Sequence, residues 1–282
     1  LGGVFGRISL GIWPGGYILG DSPIMAEMRN WAFIGDECIR RAMEALKKIK
    51  SVKLFDEGIN PHTDADLASH NAIADALRKS GISCNLISEE SKEILEINGG
   101  GPDKIFTDPL DNTINFIRGD FSFCAVGLFV VRGGEPSYSF VGDLATGDIY
   151  HCDENYAYLN GKKLAIPKSR EGRYIIAGWA AGGPRLKAFS DKAPNFPDKY
   201  RIFNYGQMLQ SAKIILGQYD ACFEILPTEL SEFAGAIIAQ RAGAVLSTLE
   251  GKPIIWRESN NQTMLVSRNK ELHEELLCYF SK

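Results

Sequence analysis

The run Ile105-Phe106-Thr107-Asp108-Pro109-Leu110-Asp111-Asn112-Thr113-Ile114-Asn115-Phe116 constrains this chain more than any other segment. It sets two carboxylates three residues apart at the end of a β-rich stretch, with Pro109 between them and the Thr113 hydroxyl two residues beyond the second. Aspartates in such a place cost stability unless they are solvated, hydrogen-bonded or metal-bound. Oxygen-only ligands clustered this tightly suit a hard divalent cation such as Mg2+. The run therefore points to a metal-dependent reaction.

The remaining composition narrows the setting. The 282 residues are 45% hydrophobic and 23% charged, which fits a soluble globular chain of one large domain or two ordinary ones. A net charge of −4 offers no basic field for nucleic acid, and a small anionic substrate would need local cations or metal to offset it. Cys38, Cys84, Cys124, Cys152, Cys222 and Cys278 form no CxxC pair, so they read as reduced, mostly buried thiols of a cytoplasmic protein. His62, His70, His151 and His273 show no HxxxH or HExxH spacing, which argues against zinc. No apolar run approaches the roughly 20 residues of a membrane span. The glycine-rich first 20 residues lack the compact apolar core and cleavage site of a signal peptide; a processed end and an extended arm both fit them.

The hydrophobic spacing predicts two helices first. One starts at Pro23 behind Ser22 as N-cap, with Met25 and Met28 in its core face; the other spans 63–80 and stops at Gly81. Strands are expected at 82–88 and 104–107, then a meander at 122–131, 137–141, 148–152 and 155–159 that leads into the hairpin dipeptide Asn160-Gly161. Further on, strands are expected at 173–178, 201–204, 221–225, 244–248, 253–256 and 263–267. Helices are expected at 184–189, 207–216, 232–242 and 270–280. The pattern divides the chain into an α+β half with an antiparallel-rich sheet, 1–168, and an α/β half, 169–282, with a site between them.

Four acidic or hydroxyl-bearing segments can build that site. They are Thr63-Asp64-Ala65-Asp66 opening the second helix, Ser88-Glu89-Glu90-Ser91 at a strand end, the Asp108 to Thr113 run, and Glu224 followed by Thr228-Glu229-Leu230-Ser231-Glu232. Taken singly, each has a plainer reading. Asp66 suits any helix N-terminus, Thr113 and Ser231 suit N-caps, and Glu224 suits a surface ion pair.

Taken together, the segments resemble the inositol monophosphatase family of metal-dependent phosphatases. The family's Asp-Pro-(Ile/Leu)-Asp-Gly-Thr-x-Asn-Phe motif is matched by Asp108 to Phe116, its Glu-Glu pair by Glu89-Glu90, and its Thr-x-x-Asp by Thr63 and Asp66. The resemblance implies an α/β fold built as a layered αβαβα sandwich of the inositol monophosphatase/fructose-1,6-bisphosphatase type. It also implies that Glu89, Asp108 and the Leu110 carbonyl hold a first Mg2+, with Asp108 bridging to a second ion at Asp111. Asp66 and Thr113 would be catalytic, handling the attacking water. Asn112 and Thr113 would meet phosphate oxygens through their N–H groups, and Glu224 would bind substrate hydroxyls. The implied substrate is a small phosphorylated polyol or sugar, either an inositol monophosphate or fructose 1,6-bisphosphate, and the implied assembly is a homodimer.

The chain departs from the family pattern at two places that bear on this. The family's Trp-Asp-x-Ala-Ala-Gly motif aligns with Leu230-Ser231-Glu232-Phe233-Ala234-Gly235, so Ser231 stands where a metal-ligand Asp belongs. Glu232 or Glu229 offers a carboxylate nearby. Asn112 replaces the motif glycine; it tolerates a left-handed turn, but its side chain brings bulk toward the phosphate. A degenerate, non-catalytic family member is the rival reading from these two positions. A nucleotide-derived substrate would call for a basic cluster in the second half, and none is evident.

Overall fold

Buried Trp31, Ile34, Cys38, Ile39, Ala42 and Leu46 recur at helical spacing, and they put one face of α1 (Pro23–Lys47) against the protein interior. The computed structural model describes residues 23–55, 61–91, 93–167, 175–179, 183–203, 207–258 and 261–280. Beside α1 lies α2 (Asp64–Ser80), which opens in a capping box. The Thr63 side chain accepts from the N–H groups of Ala65 and Asp66, while the Asp66 side chain accepts from the Thr63 N–H. Gly81, at φ 77°, ends the helix in the left-handed conformation.

Next come β1 (Cys84–Ser88), β2 (Leu95–Ile97), β3 (Lys104–Asp111) and the short α3 (Thr113–Ile117). They are followed by β4 (Ala125–Arg132), β5 (Glu135–Asp143), β6 (Ile149–Cys152), β7 (Ala157–Leu159) and β8 (Lys162–Leu164). These strands form one sheet in the order β2-β1-β3-β4-β5-β6-β7-β8. Only β1 and β3 are parallel neighbours in it; the other neighbours pair antiparallel. Asn160 and Gly161, at φ 50° and 76°, supply the two positive φ values of the tight turn between β7 and β8.

The chain continues through β9 (Ile175–Trp179), α4 (Gly183–Lys192), α5 (Phe196–Lys199), β10 (Arg201–Phe203) and α6 (Gln207–Lys213). Then follow β11 (Ala221–Thr228), α7 (Ala234–Arg241), β12 (Val245–Ser247), β13 (Gln262–Ser267) and α8 (Lys270–Phe280). The second sheet has the order β10-β9-β11-β13-β12. Three apolar clusters join the layers. The first fills the space between α1, α2 and the larger sheet. A second binds that sheet to α6, α7 and the smaller sheet, and a third seals the smaller sheet under α4, α5 and α8. The order is therefore helix, sheet, helix, sheet, helix, as the resemblance implied. No helix among the described residues is long and apolar enough to cross a membrane.

Some expectations change. The stretch 253–256 is not a strand: the Gln262 side-chain amide bonds both the N–H and the carbonyl of Ile255, and Trp256 packs edge-on against Phe129 and Phe233 instead of joining a ladder. β2 was not foreseen, being three residues long. The helix expected at 232–242 begins at Ala234, behind a 3-10 turn over Leu230–Phe233. Ser22 as a cap, the core positions of Met25 and Met28, the glycine-rich start and the boundary near 168 lie outside the described residues or side chains. Five of the six cysteines are buried and Cys278 is exposed; none is in a disulfide.

Gly235 sets how closely α6 and α7 approach. A Cβ there would come within 1.9 Å of the Met208 carbonyl oxygen, a backbone atom that cannot swing aside. Gly235→Ala should cost about 1–3 kcal/mol by overpacking. Chemical denaturation would read this as a lower midpoint with an unchanged slope; an unchanged midpoint would contradict the close packing.

Candidate active site

The site begins with an irregularity in β3. Asp108 pairs with Gly127 of β4, but Asp111 pairs with Ala125, three steps on one strand against two on the other. Pro109 has no N–H to give to a ladder, and a bulge at Pro109-Leu110 accommodates it. Residues three apart on a regular strand face opposite sides. The extra residue reverses that parity, and Asp108 and Asp111 come within each other's field. The Leu110 N–H donates to Asp108 Oδ1 at 2.9 Å, and the Leu110 carbonyl lies 3.0 Å from Thr113 Oγ1.

Parallel pairing of β1 with β3 puts Ser88 opposite Thr107, so the next residues, Glu89 and Asp108, arrive together. The Glu89 N–H donates to the Thr107 carbonyl at 3.1 Å. Glu232 enters from the 3-10 turn before α7. Single oxygens of Glu89, Asp108 and Glu232 all lie within 4.8 Å of one another. Burial, joined by repulsion from neighbouring carboxylates, pushes Glu89 up to about 7 and Asp108 and Glu232 well above the carboxylate range. Burial also raises Asp111 to about 7, against the N–H groups of Met208 and Asn112 that donate to its carboxylate. Closely set carboxylate oxygens, with a buried Glu232 Oε2 that has no hydrogen-bond partner, are the donor set of a hard cation. The residues present therefore fit a hard divalent cation.

Across the Leu110 carbonyl stands Asp66, which is 1% exposed. Its Oδ2 accepts from both the N–H and the hydroxyl of Thr63, and its Oδ1 lies 3.0 Å from Thr113 Oγ1. Burial raises its carboxyl above the usual range, with the Thr63 and Thr113 hydrogen bonds working the other way. Thr113 does not cap α3: the N-cap is Asn112, in the left-handed conformation at φ 67° and without a side-chain cap bond. The Asn112 amide donates instead to the Phe123 carbonyl at 2.9 Å, which ties its bulk to the following turn. Its N–H is directed to Asp111.

Glu224 is not a surface residue. It is fully buried on β11, where its Oε1 accepts from Arg185 Nε and from the Leu226 N–H, each at 3.1 Å. Burial lifts its carboxyl to about 7, while the Arg185 guanidinium pulls it back. Ser231 is not an N-cap either; its hydroxyl is buried in the 3-10 turn without a partner, and it is not among the clustered oxygens. The structure thus brings together Glu89, Asp108, Asp111 and Glu232, with Asp66 and Thr113 beside Leu110. Sequence reasoning missed Arg185, the Met208 N–H and Ser69, whose hydroxyl donates to the Pro109 carbonyl at 2.6 Å. None of these belongs to a motif, and only the fold puts them there.

A five-layer α/β fold with a buried carboxylate cluster at a strand end defines a class, the metal-dependent phosphatases of small phosphate esters. Residues 22–282 match the profile of the inositol monophosphatase family, and the chain belongs to that family. It is a phosphoric monoester hydrolase of that family. It is 26% identical over 255 residues to a fructose-1,6-bisphosphatase/inositol-1-monophosphatase of Archaeoglobus fulgidus, covering 85% of this chain and 92% of that one. A histidinol-phosphatase of Streptomyces coelicolor is 25% identical over 239 residues, 79% of this chain and 85% of its own. Among solved structures, the suhB extragenic suppressor protein of Bartonella henselae superposes with a TM-score of 0.77 at 20% identity, covering 89% of this chain and 99% of that one.

The raised carboxyls give a pH dependence whose sign is determined. Glu89 and Asp111 titrate near 4.5 and 3.8 in an unfolded chain and near 7 when folded. Between those values the folded form holds protons that the unfolded chain has released, so stability falls as pH rises through that window. In a chelator, the Tm should drop between about pH 5 and about pH 7.5, and Mg2+ should restore it at the upper end. A chelated protein whose Tm rises across that window would overturn this account.

Proposed function

We propose that this protein hydrolyses the phosphate monoester of a small polyol or sugar by direct attack of water, without a covalent intermediate. The observation that carries the reading is the carboxylate cluster of Glu89, Asp108 and Glu232 lying beside the Asp66–Thr113 pair across the Leu110 carbonyl. Glu89, Asp108, the Leu110 carbonyl and Asp111 would hold Mg2+. Bound there, the metal supplies Lewis acidity, lowering the pKa of a water and offsetting charge on the leaving oxygen.

The chain's own groups do the rest. Thr113 and Asp66 hold the attacking water by hydrogen bonds, and Asp66 takes its proton; a carboxyl raised by burial is better matched to that task near neutral pH. The Thr113 N–H, at the start of α3, donates to a phosphate oxygen. Glu224 accepts from a substrate hydroxyl through Oε2, the oxygen left without a partner, while Arg185 fixes the other. The degenerate reading loses its main support, because Glu232 brings a carboxylate into the cluster that Ser231 does not. Relatives named for both fructose-1,6-bisphosphatase and inositol-1-monophosphatase activity make those two esters the first to try.

The test is phosphate release from a panel of inositol and sugar phosphates, with and without Mg2+. Release should require Mg2+ and vanish in Asp108→Asn. Asp66→Asn should lower kcat by about 10²–10⁴-fold with KM little changed. No Mg2+-dependent release from any member of the panel would sink the proposal. Separately, Arg185→Gln should raise KM about tenfold through the loosened Glu224 while kcat stays within a few-fold; an unchanged KM would remove Glu224 and Arg185 from substrate binding.

A further inference from the structure

Asp66, Ser69 and His70 stand at helical spacing i, i+3 and i+4, so they share one face of α2, and all three are buried. Each bonds a different segment. Asp66 Oδ1 lies 3.0 Å from Thr113 Oγ1 at the start of α3, and the Ser69 hydroxyl donates to the Pro109 carbonyl of β3 at 2.6 Å. His70 Nδ1 shares a 3.0 Å hydrogen bond with Ser88 Oγ at the end of β1. We infer that this face of α2 is the frame that holds the three segments together, and that Ser69 and His70 are positioning residues for the proposed hydrolysis. The inference rests on that reading for its effect on rate, though not for its effect on the backbone.

A serine inside a helix ordinarily bonds the carbonyl one turn back. Ser69, fully buried, turns its hydroxyl to another layer instead. Pro109 lies between Asp108 and Asp111, where the register of the β3–β4 ladder shifts. Its residue is buried, so its carbonyl needs a donor, and Ser69 supplies one. Without that hydroxyl the carbonyl is left unsatisfied and the bulge loses its tie to α2. The next residue, Leu110, donates its N–H to Asp108 Oδ1 and sets its carbonyl 3.0 Å from Thr113 Oγ1. A displaced bulge therefore moves both at once.

His70 braces the other strand end. Ser88 Oγ also accepts from the Glu90 N–H at 3.3 Å, and the Ser88 carbonyl accepts from the Ser91 N–H at 3.2 Å. Glu89 stands inside that turn, so the imidazole acts on its direction through Ser88. Misplacement of reacting groups by about 1 Å can cost about 10²-fold in rate.

Phosphate release at saturating Mg2+, paired with hydrogen exchange and thermal melts of the chelated full chain, tests this. Ser69→Ala should lower kcat about tenfold or more with KM within about threefold. His70→Ala should act in the same direction, and His70→Asn, which keeps a polar atom near the place of Nδ1, should recover most of the loss. Ala68 is half-buried on the opposite side of α2, about 100° per residue setting it there. Ala68→Gly should lower Tm by about 2–4 °C through the helix backbone while kcat stays within about twofold. Exchange at 108–113 should quicken about tenfold in Ser69→Ala and stay parental in Ala68→Gly. Parental kcat in Ser69→Ala, or an equal loss in Ala68→Gly, would overturn the inference and leave the phosphatase reading intact; His70→Asn no better than His70→Ala would remove His70 from it. A parent that releases no phosphate defeats the proposed hydrolysis separately, and unchanged exchange at 108–113 in Ser69→Ala then defeats the frame as well.

Discussion

The crowding of carboxylates in a poorly hydrated place is the constraint on which the rest of this structure depends. Asp108, Asp111 and Glu232 are buried and Glu89 is half-buried beside them, and burial above all raises their carboxyls. Such a cluster works against folding, and apolar side chains of similar volume would pack there at less cost. The compensation has to come from elsewhere, and three apolar clusters spanning five layers supply it. Binding energy for a cation is stored in the same place, because a divalent ion replaces repulsion with attraction. The stability deficit of the empty site and the affinity of the filled one are two sides of one arrangement.

Each layer contributes a different part. The outer helical layer presents Asp66 at the start of α2, and the larger sheet presents Glu89 from β1 and Asp108, Leu110 and Asp111 from β3. The middle helices deliver the Met208 N–H to Asp111 and Glu232 to the cluster, and the smaller sheet brings Glu224 with Arg185 from α4. No layer holds a complete site. Shifts between layers would therefore be felt as shifts between catalytic groups, which is why the close contact of Gly235 with Met208 matters beyond packing.

What was legible in the sequence was local. The capping-box spacing of Thr63 and Asp66, the Asn160-Gly161 hairpin and the span of α8 depend on neighbours a few residues away. The Asp108 and Asp111 pair was legible for the same reason. Whether the two face the same way was not, because parity along a strand is reversed by a bulge that only the pairing with β4 reveals. That Glu232 and not Ser231 meets Glu89 and Asp108 was not legible either, since both sit in a short 3-10 turn whose place beside β3 only the fold gives. The apolar stretch at 253–256 read as a strand because Ile and Trp favour sheets. In the fold its Trp256 ring fills a space between Phe129 and Phe233 instead. The Arg185–Glu224 bond joins residues 39 apart and has no sequence signature.

Asp66 shows why the plain and the chemical readings of one residue need not compete. As the third residue of a capping box it stabilises the start of α2, and that role engages Oδ2 with two donors from Thr63. A carboxylate so held has its rotamer determined, and the remaining oxygen, Oδ1, is directed at Thr113. Orientation of this kind is itself a large part of catalysis, since a group already in place needs no reorganisation at the moment of reaction. In the proposed reaction, the helix cap is thus the positioning device for the proton acceptor. In that reaction, a single hydrogen-bond network at the start of α2 would link local helix stability to the geometry of the attacking water.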